Sequence, residues 1–213
     1  MIGFYSSILY LISAVLFILS LHGLSHPETA RRGNLFGMIG MAIFIVTEVM
    51  FFAALISAYL VIRSGQEEWP PWGQPRLPIE TTALNTFILL TSGFSMLYSQ
   101  KLFKAKNILK GRKVMGFSIL LGIFFLINQG REWIELLDYG LTVSSSVYGG
   151  LFYLIIGAHG FHVLGTVLAL IYCWKRLSSS RSKALIENIV PFQVLWYFVV
   201  LVWPILYILI YLK

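Results

Sequence analysis

The sequence predicts an all-α fold: a polytopic membrane helical bundle of about six transmembrane helices. Three observations predict it. Hydrophobic residues make up 58% of the 213 residues and charged residues only 12%, where a soluble domain carries about a quarter charged. The apolar residues come in long blocks rather than in short periodic alternation, and a bilayer core of about 30 Å asks for about 20 such residues per helix. The charges collect between the blocks, in the segments that set topology.

The elements follow in order. Apolar blocks predict spanning helices at 3–22, 35–62, 81–103, 113–137, 147–174 and 188–211. Between the first two, Ser25-His26-Pro27-Glu28 is a turn and helix-start signal, followed by the pair Arg31-Arg32. The stretch 64–80 holds four of the seven prolines, including Trp69-Pro70-Pro71-Trp72-Gly73, and is not helical. Residues 104–113 are basic with Gly111 as a breaker, while 138–146 and 177–183 are short polar connectors. Pro204 predicts a kink in the last helix. Two regions are read: residues 1–34, an N-terminal helix with its basic loop, and residues 35–213, a five-helix bundle.

Charge distribution orients the bundle and removes several functions. The loops after the first, third and fifth helices hold twelve Lys and Arg, and the other side holds Arg63, Arg76, Arg131 and Lys213. The positive-inside rule then puts both termini outside and the three basic loops in the cytoplasm. The net charge of +7 therefore reflects topology and does not predict a nucleic-acid partner. A single cysteine, Cys173, excludes an internal disulfide and a two-cysteine metal centre. The first apolar segment lacks a basic leading region and a small-residue cleavage site, so no cleavable signal peptide is predicted.

Chemistry concentrates in a few polar groups inside the apolar blocks. Glu48 stands in the middle of the second helix, where a charge costs about 2.5–3.5 kcal/mol or more unless it is neutral, paired or on a polar path. His159 and His162 share a face of the fifth helix. The two helices run in opposite directions, and residue counts at about 1.5 Å per residue put Glu48 and His162 at similar depth. Three readings stay open for these residues: a hydrogen-bonded pair that holds the bundle, a proton-handling site, and a metal site. The metal reading lacks ligands, because no second Glu-x-x-His partner exists and His22 and His26 fall at a helix end and in a loop. Gln129 and Glu132, late on the fourth helix beside Arg131 and Trp133, are read as interfacial, with Glu132 hydrated or salt-bridged. Small residues at Gly37, Gly40, Gly149, Gly150, Gly157, Gly160 and Gly165 predict close packing or grooves for lipid tails. A haem-copper centre needs many intramembrane histidines, so no redox centre or metal is expected in this chain.

From residue 37 onward several strings in fixed order resemble the cytochrome c oxidase subunit III family of the haem-copper oxidases. They are Thr47-Glu48-Val49-Met50-Phe51-Phe52, Trp69-Pro70-Pro71 with Ala83-Leu84-Asn85-Thr86 and Leu89-Leu90-Thr91-Ser92-Gly93, and Gln129-Gly130-Arg131-Glu132. Val147-Tyr148-Gly149-Gly150-Leu151-Phe152, Gly157-Ala158-His159-Gly160-Phe161-His162-Val163 and Trp196-Tyr197-Phe198-Val199 complete the series. The resemblance implies a non-catalytic core subunit beside catalytic subunit I, with subunit II, in a respiratory terminal oxidase of a prokaryotic inner (plasma) membrane. Haem and copper would reside in the partner, and this chain would hold only structural phospholipid. It implies that Glu48 is the carbodiimide-reactive carboxylate of that family, and that the subunit supports proton uptake and the durability of its catalytic neighbour. Lipid headgroups would meet Arg31, Arg32, Lys104 and Arg112.

The chain departs from the family in two places. The full family form has seven helices, and its last helix commonly reads Trp-His-Phe-Val-Asp where this chain has Trp196-Tyr197-Phe198-Val199-Val200. No role of that His or Asp carries over, and the shorter form is also similar to the accessory subunit of nitric oxide reductases. Residues 13–42 resemble the start of the membrane-bound beta subunit of nicotinamide nucleotide transhydrogenase. That resemblance implies an alternative, a proton-channel component of such an enzyme.

Overall fold

The computed structural model describes residues 2–24, 30–177 and 182–212, with side chains over 5–20, 33, 35–177 and 189–212. Six helices follow one another: α1 (Ile2–Leu24), α2 (Ala30–Ser64), α3 (Ile79–Lys104), α4 (Ile108–Asp138), α5 (Val147–Arg176) and α6 (Ser182–Leu206). Four of these contain stretches long and apolar enough to cross a membrane: Leu35–Ser64, Ile108–Asp138, Val147–Arg176 and Ile189–Tyr211. Helix α2 runs unbroken through residues 34 and 35.

Helix ends follow local chemistry. The Asn107 side chain accepts the Lys110 amide at 3.3 Å to cap α4, and the Ser146 hydroxyl accepts the Gly149 amide at 3.1 Å to cap α5. After Pro204, α6 continues as a π-helical turn, Tyr207–Tyr211. Proline lacks an amide proton and its ring crowds the preceding turn, so the hydrogen-bond register changes here rather than the helix ending.

Helix α6 is the axis of the bundle. Its Trp196, Val199, Trp203 and Leu206 are fully buried, and it packs against α2, α3 and α5. Helix α3 is built inside out. Its buried face carries Thr82, Asn85, Thr86, Ser92 and Ser99, and its exposed face carries Leu84, Phe87, Phe94 and Leu97. The buried hydroxyls find partners on α4 and α6. Ser99 donates to the Gly111 carbonyl at 2.8 Å, the Trp203 indole donates to Thr86 Oγ1 at 2.8 Å, and the Trp196 indole to Ser92 Oγ at 3.1 Å. Where lipid surrounds a helix, polar groups are stable only in such interhelical contacts.

Close approach of these helices depends on glycine. A Cβ on Gly122 of α4 would stand 2.5 Å from Cη2 of Trp196. Gly37 and Gly40 of α2 serve the same purpose for α1, where their side-chain positions are taken by Ser20, Leu16 and Ser13. Helix α1 packs on α2, and Ser13 donates to the Gly40 carbonyl at 2.9 Å.

Candidate functional site

Glu48 and His162 meet. Oε2 of Glu48 and Nε2 of His162 are 2.9 Å apart, and the two side chains are only 6% and 16% exposed. Helix α2 supplies the acid and α5 the imidazole. His162 Nδ1 lies 2.7 Å from the Ala158 carbonyl, one turn earlier on α5. A carbonyl only accepts, so the network assigns the Nδ1 proton to this contact and leaves Nε2 facing the acid. Tyr10 of α1 donates its hydroxyl to Glu48 Oε1 at 3.3 Å. Phe51, Phe52 and Phe161 pack beside the imidazole, so the pair has apolar neighbours.

His159, grouped with this pair by its spacing, does not join it. Its Nε2 lies 2.9 Å from the Val199 carbonyl on α6, and its ring lies 4.9 Å from that of Trp203. The ring of Phe52 stands beside both histidines. Three residues advance a helix by only about 300°, so two histidines sharing a broad face still aim at different neighbours. His159 therefore ties α5 to α6, while His162 ties α5 to α2.

Gln129 and Glu132, read as interfacial, lie inside the packed bundle. Both are buried, at 3% and 7% exposure. Glu132 Oε1 accepts from the Tyr211 hydroxyl at 2.6 Å, and Thr82 Oγ1 lies 2.8 Å from Oε2. Gln129 Nε2 reaches Tyr211 Oη at 3.3 Å. Arg131 is exposed and is not among these partners. The π turn after Pro204 brings Tyr211 to Glu132 from one side, and Thr82 of α3 meets it from the other.

The basic end behaves differently from residue to residue. Arg112 lies over the Trp174 ring at 4.6 Å, and its Nε donates to the Trp174 carbonyl at 3.4 Å. The Trp174 indole returns a bond to the Arg112 carbonyl at 3.0 Å. That guanidinium thus fastens α4 to α5, while Lys104 is exposed. The side chains of Arg31 and Arg32 lie outside the described residues. On the outer surface of α4 and α5, Gly130, Gly157 and Gly160 floor an apolar groove of about 330 Å³ walled by Leu126, Trp133, Phe161 and Leu164. Gly149 and Gly150 are covered by carbonyls of the α4–α5 connection.

Tyr10, Thr82 and Tyr211 were not legible as site residues. Each is a common residue type in an apolar helix or near its ends, and nothing in the chain tells which rotation it adopts. The chain is similar along most of its length to known proteins. The profile of the family described as "Cytochrome c oxidase subunit III" matches residues 20–213. "Cytochrome c oxidase subunit 3" of Synechocystis sp. is 34% identical over 177 residues, covering 82% of this chain and 75% of the relative. The protein of the same name from Thermostichus vulcanus is 31% identical over 192 residues, 89% of this chain and 90% of the relative. That from Drosophila yakuba is 36% identical over 180 residues, 81% and 67% of the two chains.

Proposed function

Since the chain belongs to the cytochrome c oxidase subunit III family, we propose that Glu48 and His162 form the polar centre through which it supports proton uptake by a catalytic partner. The chain is a multi-pass membrane subunit of a haem-copper oxidase complex. In the proposed arrangement it is the non-catalytic core subunit, seated against subunit I, which carries haem and copper, and near subunit II. The observation that carries the proposal is the 2.9 Å contact between Glu48 and His162 among apolar neighbours. An acid and a base that share one proton at that depth form a net-neutral pair, so neither group carries an uncompensated charge among apolar residues.

Six spans complete the proposed topology, with α3 crossing the membrane although hydropathy alone underrates it. The apolar outward face of α3 supports this, since its polar residues are turned inward. The basic loops are proposed to lie in the cytoplasm of a prokaryote, as the charge asymmetry favours. Exposed Lys104 and the neighbouring lysines would meet phospholipid headgroups, and the glycine-floored groove on α4 and α5 would take an acyl chain. Both contacts would add to the stability of the catalytic subunit. No reaction step is assigned to this chain.

The test uses the assembled oxidase. Purification in mild detergent followed by an optical spectrum should show haem bands from an associated partner. Glu48→Gln keeps the shape of the side chain but cannot share the proton. It should leave assembly intact while slowing proton uptake or shortening the active lifetime of the complex. Unchanged turnover and unchanged inactivation in that variant would overturn the role given to Glu48.

A further inference from the structure

The second buried carboxyl, Glu132, has a hydrogen-bond arrangement that counts its protons. Thr82 Oγ1 carries one hydrogen but touches two oxygens, Pro78 O at 2.7 Å and Glu132 Oε2 at 2.8 Å. Pro78 O can only accept, so the Thr82 hydrogen belongs to that contact. The hydrogen between Thr82 and Glu132 then has to come from the carboxyl. On the other side Gln129 donates to Tyr211, and Tyr211 donates to Glu132 Oε1. Every close contact is satisfied at once only when Glu132 holds a proton.

The same carboxyl forms part of the wall of a polar cleft of about 240 Å³, shared with Thr81, Asn85, Asn128, Arg131 and Glu135. Several waters fit such a volume, and the lining supplies the polar partners that they need. Asn128 Nδ2 lies 3.5 Å from Asn85 Oδ1, extending the polar surface along α3 and α4. A second cavity, of about 180 Å³, lies on the far side of Tyr211 between Trp69, Arg76 and Tyr148. The charged and titratable groups around Glu132 are thus Arg131 and Glu135 on α4, Tyr211 on the π turn, Tyr148 on α5 and Arg76 on the connection before α3. Glu132 is far along α4 from the basic end, and nothing in the Glu48 pair touches it.

We propose that Glu132 is a proton-binding site that exchanges with the aqueous phase at the Asp138 end of α4 through the Asn128–Glu135 cleft, with Thr82 as its switch. In the loaded state Glu132 donates to Thr82 and Thr82 donates to Pro78. When the proton passes to a cleft water, the Thr82 hydroxyl turns and donates to Oε2. The carboxylate then keeps two donors, Thr82 and Tyr211. Pro78 O stays bonded to the Thr81 hydroxyl and the Thr82 amide, each at 3.2 Å. One proton leaves, no bond is left without a partner, and no counter-charge has to move.

Infrared difference spectroscopy on the whole oxidase complex in lipid nanodiscs tests this, in a Glu48→Gln background that removes the buried carboxyl on α2. The protonated carboxyl of Glu132 should give a carbonyl band that shifts in heavy water, fades as pH rises and is lost in Glu132→Gln. Glutamine reproduces the loaded state's donor and acceptor, so this variant should assemble. Thr82→Val removes one donor from the carboxylate and should raise the pH at which the band fades by about one unit, the worth of one charge-assisted hydrogen bond. Absence of a Glu132 band refutes protonation, and a band unmoved by pH or heavy water refutes exchange. A band that fades at the same pH in Thr82→Val overturns the switch.

Discussion

Gly122→Ala tests the packing on which the whole axis of the bundle rests. The new methyl carbon would lie 2.5 Å and 3.0 Å from Cη2 and Cζ2 of Trp196 and 3.2 Å from Cγ2 of Val167. Carbon atoms settle at about 3.5–4.0 Å, so the indole has to retreat by about 1 Å. It has nowhere to go, because Trp196 is fully buried and its N–H is committed to Ser92. Overpacking of this kind costs about 1–3 kcal/mol. Loss or stretching of the indole bond adds about 0.5–1.5 kcal/mol, and the better helix propensity of alanine returns about 1 kcal/mol. The expected net loss is about 0.5–3.5 kcal/mol, roughly a 2- to 400-fold shift in the folding equilibrium. Cys173 is a built-in reporter, since it is the only cysteine of the chain and is buried. Its alkylation in mixed micelles of rising SDS content follows unfolding, and Gly122→Ala should lower the SDS fraction at half labelling. Trp196→Phe removes the atoms that clash, so the double variant should recover about 1–2 kcal/mol relative to the sum of the single variants. Additive single effects, or an unchanged labelling midpoint in Gly122→Ala, would refute the packing argument.

Two further outcomes follow from single contacts. Tyr10→Phe removes the α1 hydroxyl from Glu48 and should raise the rate at which an apolar carbodiimide labels that carboxyl, read by peptide mass mapping; an unchanged rate would mean that α1 does not shield it. Gly149→Ala drives a Cβ into the Thr142 carbonyl and the Ser145 hydroxyl, and backbone cannot give way as a side chain tip can. Amide exchange across residues 139–148 should therefore accelerate, and native-like protection there would show that the connection absorbs the methyl.

The helices were legible because lipid imposes one solution on an apolar chain: every backbone polar group must be bonded within its own segment. The prolines of 64–80 bound α3 in the sequence as they do in the structure, whereas Gly111, read as a breaker, lies inside α4, which starts at Ile108 behind the Asn107 cap. The Glu48–His162 approach was legible in part, from depth alone, because rise per residue is constant in a helix. Rotation is not encoded so simply. His159 and His162 share a spacing that suggests one site, yet they serve different helix pairs. Glu132 was legible as a polar group late on α4, but its partners were not, because burial depends on what the neighbouring elements bring. Thr82 and Tyr211 come from positions 50 residues before and 79 residues after it.

By itself, the sequence determined that this is a helical membrane subunit with an acid amid apolar residues on α2. Length, hydrophobic blocks and charge placement are properties of single segments, and the bilayer acts on each segment alone. Only the tertiary structure decided which groups share a proton. It set Tyr10 and His162 on Glu48, turned His159 toward α6, and enclosed Glu132 between two hydroxyls. Those outcomes depend on helix rotation and on glycines that admit one helix to another within contact distance, and such relations exist only between segments.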